Sequence, residues 1–187
     1  MTNQVKVQRN LEFPVIKDPI PQYSIPQFRS PFREYNSHPQ EARMIATNLV
    51  QLIESHSEQL ADSAMETFMT SDKCRDLLKV PPDELRSRSQ EIYKNLSDWL
   101  LEKTEKDIEA RYREIGARRA EQGVAFSHFV YALIATKANL YKFLHRQGMA
   151  DTALEVFGHF ELFKKLDTFF DRALFYAAQG YEQERAV

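Results

Sequence analysis

The sequence predicts an all-α domain of five to seven helices behind an extended, proline-rich arm. Three observations carry this. From residue 37 onward, apolar residues recur at helical spacings of three and four. No stretch alternates like a strand, and no unit of about 20–50 residues repeats. The punctuation is segregated: all eight prolines lie at or before Pro82, and none of the five glycines precedes Gly116.

Two segments follow. Residues 1–36 carry Pro14, Pro19, Pro21, Pro26 and Pro31. Each proline removes an amide donor and pushes its predecessor extended, so no helix survives that spacing. Leu11, Phe13, Ile20, Phe28 and Phe32 recur among them, richer in apolar side chains than a disordered tail. The expectation is an arm lying on the domain or on a neighbouring subunit, with a floppy leader as the alternative. Residues 37–187 form the helical domain.

Within that domain, Ser37 with Gln40 reads as a capping box, with Pro39 in the tolerated first turn. Met44, Ile45, Leu49, Leu52 and Ile53 give the first helix its apolar face. Leu60, Ala64, Met65 and Phe68 continue it, and a bend near His56 is left open. Ser71 caps a short turn through Cys74 to Leu78. Pro81-Pro82-Asp83-Glu84 starts the next helix, since proline suits the first turn and acids suit the positive end of the dipole. Thr104 caps a helix ending at Gly123. Its outer face offers the i,i+4 pairs Asp107/Arg111, Glu109/Arg113 and Glu114/Arg118. Ser127 is the expected cap of the following helix, closed by Gly148. The last helix begins near Asp151 and runs to Tyr181 or beyond. Phe157, Phe160, Phe163, Phe169, Phe170 and Phe175 lie on it. Apolar residues wrap most of that cylinder, more than one buried stripe requires. The helix is therefore expected to thread the domain and to meet a second subunit.

Composition narrows the function. The 187 residues suit one domain at roughly 150 residues each. Lys+Arg is 25 against Asp+Glu 27, a net charge of −2, and the pI is near 6.2. That leaves no basic surplus for a phosphate backbone and argues against nucleic acid as a partner. The single Cys74 can form neither an internal disulfide nor, with cysteine neighbours, a zinc site. The N-terminus has no apolar h-region, and no apolar run approaches the roughly 18 residues of a spanning helix. A cytoplasmic protein with no membrane partner is expected.

No phosphate-binding, dinucleotide, nucleophile-elbow or zinc-protease motif occurs. The five histidines are His38, His56, His128, His145 and His159, and no two are three or four apart. His159, on the Phe-rich helix, is the only candidate haem ligand worth weighing, with His128 behind it, and a structural role suits both better. Arg75 beside Cys74 could activate the thiol, but a small half-buried residue is the expected reading. Asp171 is expected to pair with an arginine of a preceding helix. No catalytic residue, metal or cofactor is called for.

Two segments are more specific than their composition. One is Tyr112-Arg-Glu-Ile-Gly116-Ala-Arg118-Arg119-Ala120-Glu-Gln-Gly123, followed by Ser127. The other is Phe169-Phe170-Asp171-Arg172-Ala-Leu-Phe-Tyr-Ala-Ala-Gln-Gly180-Tyr181-Glu182. Together they resemble the RsbRD N-terminal family, the sensory domain of RsbR-type co-antagonists and of some bacterial histidine kinases, over roughly residues 40–182. The resemblance implies a globin-like, haem-free sensor, usually dimeric, feeding a stress or two-component output through a kinase or an anti-sigma-type regulator. Family members normally continue into a STAS or kinase module, whereas this sequence ends at Val187. Related free-standing haem-free globin domains bind fatty acid.

The residues agree at two points. Gly116, Ala117 and Ala120 offer a small face for close helix approach. The Phe-rich helix could enclose an apolar ligand or dimerise. The leading expectation is a non-enzymatic sensory module whose homodimer interface uses Phe163, Phe170 and Leu174. The alternative is a binding protein for an apolar, fatty-acid-like molecule lodged near Tyr112, Phe129, Phe160 and Phe163.

Overall fold

The computed structural model describes residues 39–147 and 152–186. The arm, Ser37, Gly148 and Asp151 lie outside the described residues. Among those described, the chain is mostly helical and contains no strand. The α-helices are α1 (Pro39–Ser55), α2 (Ser57–Thr70), α3 (Pro82–Lys94), α4 (Glu105–Glu121), α5 (Phe126–Arg146) and α6 (Ala153–Arg185). A 3-10 segment, Asp72–Lys79, joins α2 to α3, and a π-helical turn, Asp98–Glu102, precedes α4.

Local chemistry sets most boundaries. The bend left open near His56 falls on that residue, which separates α1 from α2 with φ −107° and ψ 18°. Its ring rests 5.2 Å from that of Phe143. Ser71 accepts from the Lys73 amide and starts the 3-10 segment. Pro82 occupies the first turn of α3. Thr104 and Asp107 form a reciprocal capping box on α4. Gly123 ends the following turn at φ +68°, a left-handed conformation that favours glycine. Thr152 and Glu155 make a second capping box and set the start of α6.

Ser127 is not a cap. Helix α5 starts at Phe126, with Ala125 in the cap position and no side-chain cap bond. The anchor comes from elsewhere in the fold. The Ala125 amide donates to Asp76 Oδ2 at 2.9 Å, and the Asp76 amide donates to His128 Nδ1 at 3.2 Å. This exchange ties the 3-10 segment to the start of α5.

The 33-residue α6 organises the domain. Leu162, Leu166, Phe169, Ala173 and Ala177 recur on one face and are buried. The helix packs against α1, α4, α5 and the π-helical turn. Its closest neighbour is α4. Arg172 and Tyr176 meet Glu105, Gln179 meets Arg113, and the Tyr181 hydroxyl donates to the Val124 carbonyl at 2.8 Å. The partners advance together along both helices, so α4 and α6 run parallel. Glycines permit the close approach. A Cβ at Gly116 would stand 2.0 Å from the Ala177 carbonyl oxygen, and one at Gly180 would stand 2.1 Å from that of Arg113.

Two expected sets of ion pairs are redirected. Of the three i,i+4 pairs on α4, Glu109–Arg113 forms at 3.1 Å. Asp107 is held by the capping box, while Arg111 and Arg118 reach α3 instead. Asp171 faces Lys137 of α5 at 3.8 Å, not an arginine, and it is largely exposed.

Candidate functional site

Helices α3, α4 and α5 enclose a cavity of about 60 Å³. Tyr112 and Phe129 stand on its wall with Leu133, Ile115 and Trp99. Two of the four aromatic residues expected at a ligand site, Tyr112 and Phe129, therefore come together, and both are buried. Phe160 and Phe163 do not join them. Phe160 is 69% exposed, and Phe163 packs on Tyr141 of α5 with ring centroids 5.0 Å apart. The cavity has room for a few waters at most. It falls well short of the roughly 300 Å³ at which pockets for drug-sized ligands begin. Burial pushes the Tyr112 phenol above its usual range, so it stays neutral.

Charge clusters clamp α3 to α4 beside this cavity. Arg111 grips both oxygens of Glu91, at 2.6 and 2.8 Å, and Arg88 reaches the same carboxylate at 2.9 Å. Two turns away, Glu84 accepts from Arg118 and from Arg119, each at 2.7 Å, and from Gln122. Arg119 is only 3% exposed. Hydrogen bonds from Arg118 outweigh the cost of burial and hold the Glu84 carboxyl down at about 2. Sequence reasoning missed both clusters, although a signal was present. Glu84 and Glu91 are seven apart on α3, as are Arg111 and Arg118 on α4, so two antiparallel helices bring both pairs into register.

An aromatic chain leads from the cavity to α6. Tyr112 lies 6.1 Å from Trp99 and 5.8 Å from Phe169, and Trp99 lies 5.9 Å from Phe169. Phe170 follows at 5.1 Å. The cavity wall is thus in direct contact with the buried face of α6 through Tyr112 and Trp99.

The other singled-out residues are structural in their contacts. His159 Nδ1 bonds the Glu155 carbonyl of its own helix at 2.8 Å. His128 serves the Asp76 exchange. Cys74 is fully buried, which raises its thiol above the usual value, and Arg75 is occupied by Asp72 at 2.8 Å. Among the described residues, no three His, Cys, Asp or Glu side chains are grouped to hold a metal ion. No described helix is long and apolar enough to cross a membrane.

On the outer side of α6, Val156, Phe160 and Phe175 are exposed. Of the expected interface residues, Phe163 and Leu174 are half-buried on this side, whereas Phe170 is 4% exposed and packs inside the domain.

Residues 58–187, more than half of the chain, match the family model for the RsbT co-antagonist protein rsbRD N-terminal domain. The chain belongs to that family. The match covers α2 to α6 and both segments that carry the resemblance, while α1 lies outside it. No curated protein and no solved structure matches the chain. Membership in the rsbRD N-terminal family places the domain among stress-signalling regulators.

Proposed function

We propose that the chain is a non-enzymatic cytoplasmic signalling module. It works as a homodimer through the outer face of α6 and passes a change in helix packing to a protein partner. The exposed stripe on α6 is the observation that carries the reading. Val156, Phe160, Phe163, Asp167, Asp171 and Leu174 fall on one side of the helix, with Phe175 at its edge.

The neighbouring strip of α5 adds Ile134, 48% exposed, and Lys137. Lys137 Nζ lies 3.1 Å from Asp167 and 3.8 Å from Asp171. A two-fold interface applies one patch to itself, so it must carry both charge signs around an apolar centre. This patch has that composition. Exposed aromatics of this kind also mark interaction surfaces.

A ligand or partner would act only by favouring one of two packings. The contact chain from Tyr112 through Phe169 reaches the buried face of α6, the helix whose outer face carries the proposed interface.

The test is light scattering during size-exclusion chromatography of Phe160→Glu/Phe175→Glu. Both side chains are more than half exposed, so the variant is expected to melt near wild type and elute as a monomer. A folded variant that stays dimeric overturns the interface.

A further inference from the structure

A second face of α6 borders a groove of about 320 Å³ beneath the π-helical turn. We propose that this groove binds a phosphate group, carried by a small diffusible molecule or by a lipid headgroup. Four cations line it: Lys103 from the end of the turn, and Lys164, Lys165 and Arg172 from α6. Positions 161, 165, 168 and 172 share one side of the helix, and Lys164 stands at its border with the outer stripe, between Phe160 and Phe175. Arg172 is paired with Glu105 at 3.0 Å. Lys103, Lys164 and Lys165 make no ion pair with a described residue, and Glu161 is the one acid among the described lining residues.

Scattered surface lysines are ordinarily just solvated. Three features separate this set. The cations converge from two elements on one concavity. Its floor is apolar, formed by Trp99, Ile108 and Phe169, and such walls strengthen a charge interaction over its value in open water. Trp99 lines both the groove and the cavity, and its indole Nε1 is buried with no acceptor. A buried donor without a partner is uncommon. A ligand with more than one charged oxygen would use several ammonium groups at once, as charge-assisted hydrogen bonds do. The groove also touches Phe169, so occupancy bears on the aromatic chain that reaches the cavity.

Trp99 is the sole tryptophan, so its emission reports on the groove and on the cavity it also lines, and loss of the response in the lysine variant below assigns it to the groove. The full chain is titrated with sodium pyrophosphate at constant ionic strength. A saturable change in Trp99 emission is expected, with half-saturation below about 1 mM. Lys103→Gln/Lys164→Gln should weaken it at least about tenfold, since two charged contacts are lost. Lys142→Gln, on α5, should leave it unchanged. Near-ultraviolet circular dichroism checks that each variant is folded. In a parallel arm, the chain is sedimented with phosphatidylglycerol vesicles. Saturation by pyrophosphate identifies a diffusible ligand, and sedimentation with vesicles alone identifies a headgroup. Either supports the site if the double variant loses it. Failure in both arms, a response reproduced by chloride, or equal binding by the double variant overturns it.

Discussion

Gly116 and Ala177 meet so closely that a single methyl group cannot be placed between them: a Cβ on Gly116 would lie 2.0 Å from the Ala177 carbonyl oxygen. The obstacle is backbone, which cannot turn aside as a side chain would. The parallel crossing of α4 and α6 depends on this absence of volume.

Gly116→Ala should therefore destabilise the domain. Alanine gains up to about 1 kcal/mol of helix propensity. Three backbone atoms lie within 2.9 Å of that Cβ, so forcing the helices apart falls at or above the upper end of ordinary overpacking, about 1–3 kcal/mol, and the net loss is about 2 kcal/mol or more. Gly123→Ala makes a useful contrast. Nothing lies within 4 Å of its Cβ position, and only the positive φ is strained, at a cost of about 1–2 kcal/mol. Urea unfolding of the two variants measures both, and the larger loss should fall at Gly116.

Acid should weaken the fold through Glu84. The folded carboxyl holds off its proton until about 2, whereas its usual value is 4.5. Between those values the unfolded chain binds more protons, so stability falls as pH drops through the window. Asp76, held low chiefly by the Ala125 amide, adds in the same direction. Glu84→Gln should be less stable than wild type at pH 7 and should lose less between pH 5 and pH 2. Denaturant midpoints across that range check it.

Removing the Glu84 side chain also strands Arg119, 3% exposed, without its carboxylate. Glu84→Ala should cost roughly 3–5 kcal/mol. Arg118→Ala removes a half-exposed partner of the same carboxylate and should cost about 1 kcal/mol or less. Thermal unfolding of the two variants should separate them clearly.

Capping predicts a second contrast. Thr104→Ala breaks a reciprocal capping box and should cost about 1 kcal/mol. Ser127→Ala removes an exposed hydroxyl from inside the first turn of α5 and should change stability by less than about 0.5 kcal/mol. Urea midpoints distinguish them.

The comparison of Thr104 with Ser127 explains what the sequence can reveal. Thr104, Pro82, Ser71 and Gly123 act on their immediate neighbours, so their roles are readable from local spacing. The start of α5 is set by Asp76, which is distant in sequence, and no local pattern encodes that. Arg111 and Arg118 follow the same logic: local acids were available, yet the carboxylates of α3 hold them more closely. The all-helical class, the small face at Gly116 and the meeting of Tyr112 with Phe129 were legible. The separation of Phe160 and Phe163 from those two was not, because a helix apolar on most sides does not announce which side faces which neighbour. The groove cations were hidden for a related reason: Lys103 joins Lys164 and Lys165 only through the fold.

The central claim is that α6 presents its outer face to a second copy of the chain. Native mass spectrometry of the full chain at micromolar concentration tests it most directly. A species of about 44 kDa, twice the chain mass of 21.9 kDa, is the predicted result. A species at the single-chain mass across that concentration range would contradict the dimer, and with it the role assigned to Phe160 and Phe175.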